Sequence, residues 1–162
     1  IVSKIIKNYP DKNIKLLKKE NGGLADARNF GIAAANGNFI LPLDADDMIL
    51  PDMLLKTVSV LLADKNISIV GTDTLRFGEK NNSYQTQGLN LETIKYLDTL
   101  NYCSLYRKEV WEKIGGYNTN MVFGYEDWNF WISCAEKGFI EKKVPEYLFK
   151  YRIREKSMLA DA

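Results

Sequence analysis

The chain has 162 residues and a mass of 18.5 kDa, the size of one ordinary domain or part of a larger one. Its 46% hydrophobic and 27% charged residues suit a globular core, and 22 Lys and Arg against 21 Asp and Glu leave no cationic excess for a nucleic-acid partner. It has no histidine, which excludes a Ser-His-Asp triad, an H-E-x-x-H zinc protease and a Cys₂His₂ finger. A general base must then be a carboxylate, Lys, Tyr or Cys, and a metal must sit largely on oxygen, favouring Mg²⁺, Mn²⁺ or Ca²⁺ over Zn²⁺. The two cysteines, Cys103 and Cys134, form no C-x-x-C and are expected as buried free thiols. No apolar run approaches membrane-spanning length, and the start, Ile1-Val2-Ser3-Lys4-Ile5-Ile6, has no signal-peptide plan and reads as cut.

In chain order, Ile1 to Tyr9 reads as the end of a helix, since Ile1, Ile5 and Tyr9 share a face, and Pro10-Asp11 stops it. Ile14 to Leu17 reads as a short strand, broken by Asn21-Gly22-Gly23. Leu24 to Ala35 reads as a helix with a narrow stripe of Leu24, Ala27, Gly31 and Ala35, ended by Asn36-Gly37-Asn38. Phe39 to Leu43 is an apolar run expected as a buried strand, although Pro42 removes one ladder donor. Pro51 and Asp52 open a helix running to about Ala63. Ile67 to Thr72 is a further strand, and Glu79 to Gly88 reads as a surface loop. Leu91 to Leu97 is a short helix, Cys103 to Tyr106 a strand, and Lys108 to Ile114 a helix ended by Gly115-Gly116. Tyr125 to Lys137 is a helix ended by Gly138, and Tyr147 to Tyr151 a last strand. The alternation predicts α/β architecture.

Asp44-Ala45-Asp46-Asp47 directly follows the apolar run Phe39 to Leu43, and ligands in open α/β sheets bind beyond such strand ends. Residues two apart in extended chain point the same way, so Asp44 and Asp46 could converge on a hard cation that neutralises a phosphate. A solvated turn carrying a helix-capping acid is the competing reading. An EF-hand loop fails, because Ile49 and Leu55 stand where Gly and Glu are required. A phosphatase of the haloacid dehalogenase type also carries D-x-D after a strand, but this chain continues Asp47-Met48. Asn21-Gly22-Gly23 feeds a helix start that suits an anion, and Arg28 could reach a phosphate or pair with a carboxylate. Glu126 and Asp127 open a helix rich in apolar residues, with Trp128, Trp131, Ile132 and Ala135 in one stripe and Phe130 and Cys134 beside it. Its dipole would keep a carboxylate at this mouth ionised, as a base must be. Arg152 and Arg154 lie in a basic patch that could clamp a diphosphate. Lysines 4, 7, 12, 15, 18 and 19 form another, which could favour an anionic membrane surface without the spacing of a basic amphipathic helix.

In this order the segments resemble glycosyltransferase family 2. The matching residues are Glu20-Asn21-Gly22-Gly23-Leu24, Ala27-Arg28-Asn29, Asn36-Gly37 and Leu43-Asp44-Ala45-Asp46-Asp47. Further on come Arg107, Gly115-Gly116-Tyr117, Gly124-Tyr125-Glu126-Asp127-Trp128, and Tyr151-Arg152 with Ser157-Met158. The resemblance covers nearly the whole chain. It implies a GT-A fold, a Rossmann-like mixed sheet flanked by helices, and inverting transfer of a sugar from a nucleotide-diphosphate donor with Mn²⁺ or Mg²⁺. Asp46 is then the metal ligand, Asp127 the general base, and Asn21, Gly22, Arg28, Asp44 and Arg152 lie on the donor side. The implied partners are a nucleotide sugar, UDP-linked by expectation, and a glycan or lipid-linked acceptor in cell-surface polysaccharide synthesis. The implied location is the cytoplasm, including the inner membrane face.

Two features depart from the family pattern. The two N-terminal strands that hold base and ribose are missing, so the sequence reads as a single catalytic domain, residues 1–162, truncated at its start. The tail motif carries Arg154 where a His is usual. A non-catalytic remnant of the same fold, and less readily a D-x-D phosphatase, are the alternative readings.

Overall fold

The computed structural model describes residues 6–10 and 12–155. The expected helix end at Ile1 to Tyr9 is therefore seen only as a helical turn at residues 6–8, and Ser157-Met158 lie outside the described residues. In chain order the elements are α1 (Leu24–Ala34), β1 (Phe39–Ile40), β2 (Met48–Ile49), α2 (Met53–Ala63), β3 (Ile67–Gly78) and β4 (Asn82–Tyr84). Then come α3 (Leu91–Ile94), β5 (Leu105–Arg107), α4 (Lys108–Ile114), α5 (Glu126–Glu136) and β6 (Ile140–Ile153). The sheet order is β1-β5-β3-β6-β2, with β4 folded back on β3. β3 and β6 are parallel, and the other pairs are antiparallel.

Alternation along the strands splits the core into two layers. Ile69 and Tyr106 face one side with Ile32, Val110, Phe130 and Trp131 from α1, α4 and α5. Their neighbours Val70 and Leu105 face the other with Met53 and Leu61 from α2 and Leu148 and Phe149 from β6. Cys103 and Cys134 are buried and unpaired with each other, as expected. Among the described residues, no helix is long and apolar enough to cross a membrane.

Several elements differ from the sequence reading. Ile14 to Leu17 is not a strand; Ile14, Leu16 and Leu17 are each 41% exposed and pair with no strand among the described residues. The strand at Phe39 is paired only over Phe39–Ile40, consistent with Pro42 lacking an N–H. β3 runs six residues past Thr72, because the buried Asp73 meets Lys143 at 2.6 Å and accepts from the Thr86 N–H at 3.0 Å. Asn82–Tyr84, read as loop, forms β4. β6 starts at Ile140 rather than Tyr147, since its charged residues Glu141 and Lys143 find partners on or beside β3. Pro145 falls where the β3–β6 register shifts, between Thr72↔Val144 and Asp73↔Tyr147, so its missing donor interrupts a ladder already broken.

The most consequential difference is the phase of α1. Ala27 and Gly31 of the expected stripe are exposed, while Ala25 and Ile32 are buried and the Arg28 and Asn29 side chains lie between them on the inward face. Positions 25, 28, 29 and 32 follow helical spacing, so two polar residues occupy the core side. The Asn29 amide satisfies three groups across the core. Its Nδ2 donates to the Tyr117 carbonyl at 2.8 Å, and its Oδ1 accepts from the Tyr117 N–H at 2.8 Å and Trp111 Nε1 at 2.9 Å. Gly116, at φ 91°, makes this approach possible, since a Cβ there would sit 2.8 Å from Asn29 Oδ1.

Asn29→Ala would leave the Tyr117 N–H and carbonyl and the Trp111 indole without their partner. We expect a loss of about 2–4 kcal/mol in urea unfolding with an unchanged m-value. A loss below about 0.5 kcal/mol would refute this account of the amide.

Candidate active site

The C-terminal end of β1, the starts of α1 and α5, the segment after α3 and the end of β6 converge on a cavity of about 620 Å³. Its lining includes Arg28, Asp44, Asp46, Asp47, Asp127 and Arg152, which brings together most residues singled out in the sequence. Asn21 and Gly22 do not line it. Asn21 Oδ1 instead accepts from the Gly23 N–H at 3.1 Å, an Asx turn leading into α1.

Arg28 lies at the centre, with its side chain 8% exposed. Nη2 contacts both Asp44 carboxylate oxygens at 3.2 Å, and Nη1 donates to Glu126 Oε1. The guanidinium carbon lies 4.7 Å from the Tyr102 ring centroid and 5.6 Å from that of Tyr117. Of the two readings of Arg28, phosphate contact or carboxylate pairing, the structure shows the second. Glu126 is buried because it stands one helical turn before Phe130, on the inward face of α5. Asp127 is rotated from that face by one residue and lines the cavity half-buried.

The acids of the Asp44-Ala45-Asp46-Asp47 turn have separate partners. Asp47 is buried, accepting from Tyr102 Oη at 2.5 Å and the Arg152 N–H at 2.7 Å. Tyr102 Oη in turn accepts from the Asp44 N–H at 3.0 Å. Arg152 Nε donates to the Asp46 carbonyl at 2.9 Å, and its guanidinium carbon lies 4.3 Å from the Phe77 ring centroid. The Asp46 carboxylate, 37% exposed, meets Arg154 Nη2 at 3.0 Å. Among the described residues, no group of three or more acidic or Cys side chains gathers as a metal cluster. Asp44 and Asp46 thus face different arginines rather than one shared point.

Burial raises the Asp127 carboxyl to about 6; the Glu126 charge adds to this and Arg28 opposes it. Asp98, also in the lining, is raised by burial and by Asp127 to about 7, and its Oδ1 is buried without a partner. Burial also raises Asp47. Sequence reasoning did not find Asp98 or Tyr102. Neither sits in a local pattern, and each reaches the site through the segment after α3.

Removing Arg28 would leave Glu126 as an uncompensated buried charge. Arg28→Ala is expected to cost about 3–5 kcal/mol in urea unfolding, and adding Glu126→Gln should return part of that loss. Strictly additive single and double variants would show that the pair is not coupled.

The sequence model of glycosyl transferase family 2 matches residues 1–115. An uncharacterised glycosyltransferase of Methanocaldococcus jannaschii is 28% identical over 160 residues, covering 92% of this chain and 54% of that protein. A crystal structure of S. aureus TarS 1-349 with UDP-GlcNAc superposes with a TM-score of 0.79 at 17% identity, covering 99% of this chain and 48% of that one. The mannosyltransferase PcManGT of Pyrobaculum calidifontis, in complex with GDP-Man and Mn²⁺, superposes at 0.69 with 19% identity over 98% of this chain and 45% of its own. The chain thus spans about half the length of these proteins, and its fold is the GT-A fold. With the family match covering most of its length, the chain belongs to glycosyl transferase family 2.

Proposed function

We propose that this domain transfers a sugar from a nucleotide-diphosphate donor to an acceptor hydroxyl, with inversion at the anomeric carbon. One observation carries the reading: the half-buried Asp127 carboxyl lines the same cavity as Asp46, Arg152 and Arg154. A carboxyl base and a cationic patch in one cavity suit direct displacement. The donors named for the structural neighbours, UDP-GlcNAc and GDP-Man, support the donor class.

Asp127 takes the acceptor hydroxyl proton as its oxygen attacks the anomeric carbon. The bond from that carbon to the diphosphate oxygen breaks, and the electron pair leaves on the diphosphate. Arg152 and Arg154 offset the charge that grows there. Arg28 holds Asp44 and Glu126 in place and keeps the Asp127 carboxyl from rising further.

Asp46 fits a divalent ion of the Mg²⁺ or Mn²⁺ kind, because its carboxylate is partly exposed in the cavity and such ions take their remaining ligands from phosphate and water. Bound there, the ion would neutralise part of the diphosphate charge. The Mn²⁺ in the PcManGT complex supports this choice. Asp46→Asn and excess EDTA should each abolish most transfer. Undiminished transfer in EDTA would refute metal use.

Asp127→Asn should lower turnover by about 10²-fold or more while the Kd for nucleoside diphosphate changes little. Because the base works ionised and Asp127 sits at about 6, kcat/KM should fall as pH drops through 6 and level off above it. Equal loss of nucleotide binding and turnover in Asp127→Asn would make Asp127 a structural acid instead.

A further inference from the structure

Tyr125 immediately precedes the two acids of α5 and lines the cavity with Asp127. Its φ is 62°, making it the one non-glycine residue with positive φ among the described residues. The left-handed region is strained for such a residue, and Asn or Gly would adopt it more easily. The backbone therefore gives no reason for a tyrosine. The ring is 45% exposed and stands near edge-on to Trp128, with centroids 5.8 Å apart and planes at 63°. Trp128 is fixed in turn, because its Nε1 donates to the Ile94 carbonyl at 2.5 Å. That bond ties the start of α5 to α3, and so to Leu97, Asp98 and Leu100, which line the same part of the cavity. An aromatic ring is thus held beside Asp127 by a braced neighbour, at a cost in backbone strain.

We propose that Tyr125 selects the acceptor, its ring stacking on the apolar C–H face of a neutral pyranose whose hydroxyl reaches Asp127. This rests on the reading of Asp127 as the base. An aromatic face with a few polar groups beside it is the usual composition of a small-ligand pocket. Charge argues for a neutral acceptor. Asp98, Glu126 and Asp127 gather on this side; Arg28 is already paired with acids, and the Arg76 guanidinium carbon lies 5.5 Å from the Tyr84 ring centroid. A phosphate-bearing acceptor would meet the Asp98 and Asp127 carboxyl groups here, while Glu126 is held by Arg28.

The test compares wild type with Tyr125→Phe, Tyr125→Asn and Tyr125→Gly. Phe keeps the ring; Asn and Gly keep the left-handed backbone without it. Saturation-transfer NMR titrations would use methyl β-D-glucopyranoside, methyl β-D-galactopyranoside, an N-acetylglucosamine tetramer and glycerol phosphate. Thermal unfolding and calorimetric Kd for UDP and GDP would report on fold and donor side. We expect Phe to bind the best pyranoside as wild type does, and Asn and Gly to weaken it about 3- to 10-fold. Nucleotide Kd should stay within about twofold. Unchanged pyranoside binding in both Asn and Gly, a preference for glycerol phosphate, or no pyranoside binding by wild type would each overturn the proposal. Donor turnover by wild type and Asp127→Asn is measured separately. Turnover undiminished in Asp127→Asn, with ring-dependent pyranoside binding retained, would defeat the Asp127 reading and leave the platform standing.

Discussion

The geometry of the cavity depends on the burial of one guanidinium. A charge out of water must be paired, and Arg28 is paired twice, with Asp44 beyond β1 and with Glu126 at the start of α5. Those contacts fix three separate chain segments relative to one another, and the rings of Tyr102 and Tyr117 close over the cation. Its Nε remains buried without a partner, so the pairing rests on the two terminal nitrogens. The same charge reaches Asp127. Burial and Glu126 push that carboxyl up, Arg28 holds it down, and the balance lies near 6. Burial is the largest of these causes, and the two members of the ion pair act on the adjacent acid in opposite directions.

The acidic turn shows how neighbouring residues of one type divide their work. Asp44 faces Arg28, Asp46 remains partly exposed beside Arg154, and Asp47 is buried under Tyr102 and the Arg152 N–H. Asp47 anchors the turn to β6. The β2–β6 ladder at Met48 and Ile49 and the Asp46–Arg154 contact tie the same turn to β6, where Arg152 Nε reaches the Asp46 carbonyl. Asp46 is the most exposed of the three carboxylates, and its ion pair with Arg154 lies at the cavity surface.

The long parallel pair β3 and β6 supplies the other half of the arrangement. β6 runs on past its expected start and finish, and its far end carries Arg152 to the acidic turn, more than a hundred residues away in sequence. The strands pass through the core because their charged residues are matched, Lys143 with Asp73 and Glu141 with the Gly71 N–H. The register shift at Pro145 absorbs the one residue that cannot donate.

By itself the sequence determined the α/β class, the helices α1, α2, α4 and α5, and the family through its motifs. These signals are local: a proline and an acid before a helix, glycines after one, an acidic turn behind an apolar run. It also located Asp44, Asp46, Asp127 and Arg152, which the fold brings to one cavity. Only the tertiary structure decided which acid pairs with which cation. An apolar stripe assigned to α1 had the wrong phase, because the helix buries Arg28 and Asn29, and polar residues on a core face look like a solvent face until their partners are known. The length of β6 was hidden for the same reason, since Glu141 and Lys143 read as loop without Gly71 and Asp73 beside them. Tyr102 and Asp98 carried no signal at all. What they do depends on groups brought close by the fold, and hydrogen bonds and burial across such distances in sequence leave no periodicity along the chain.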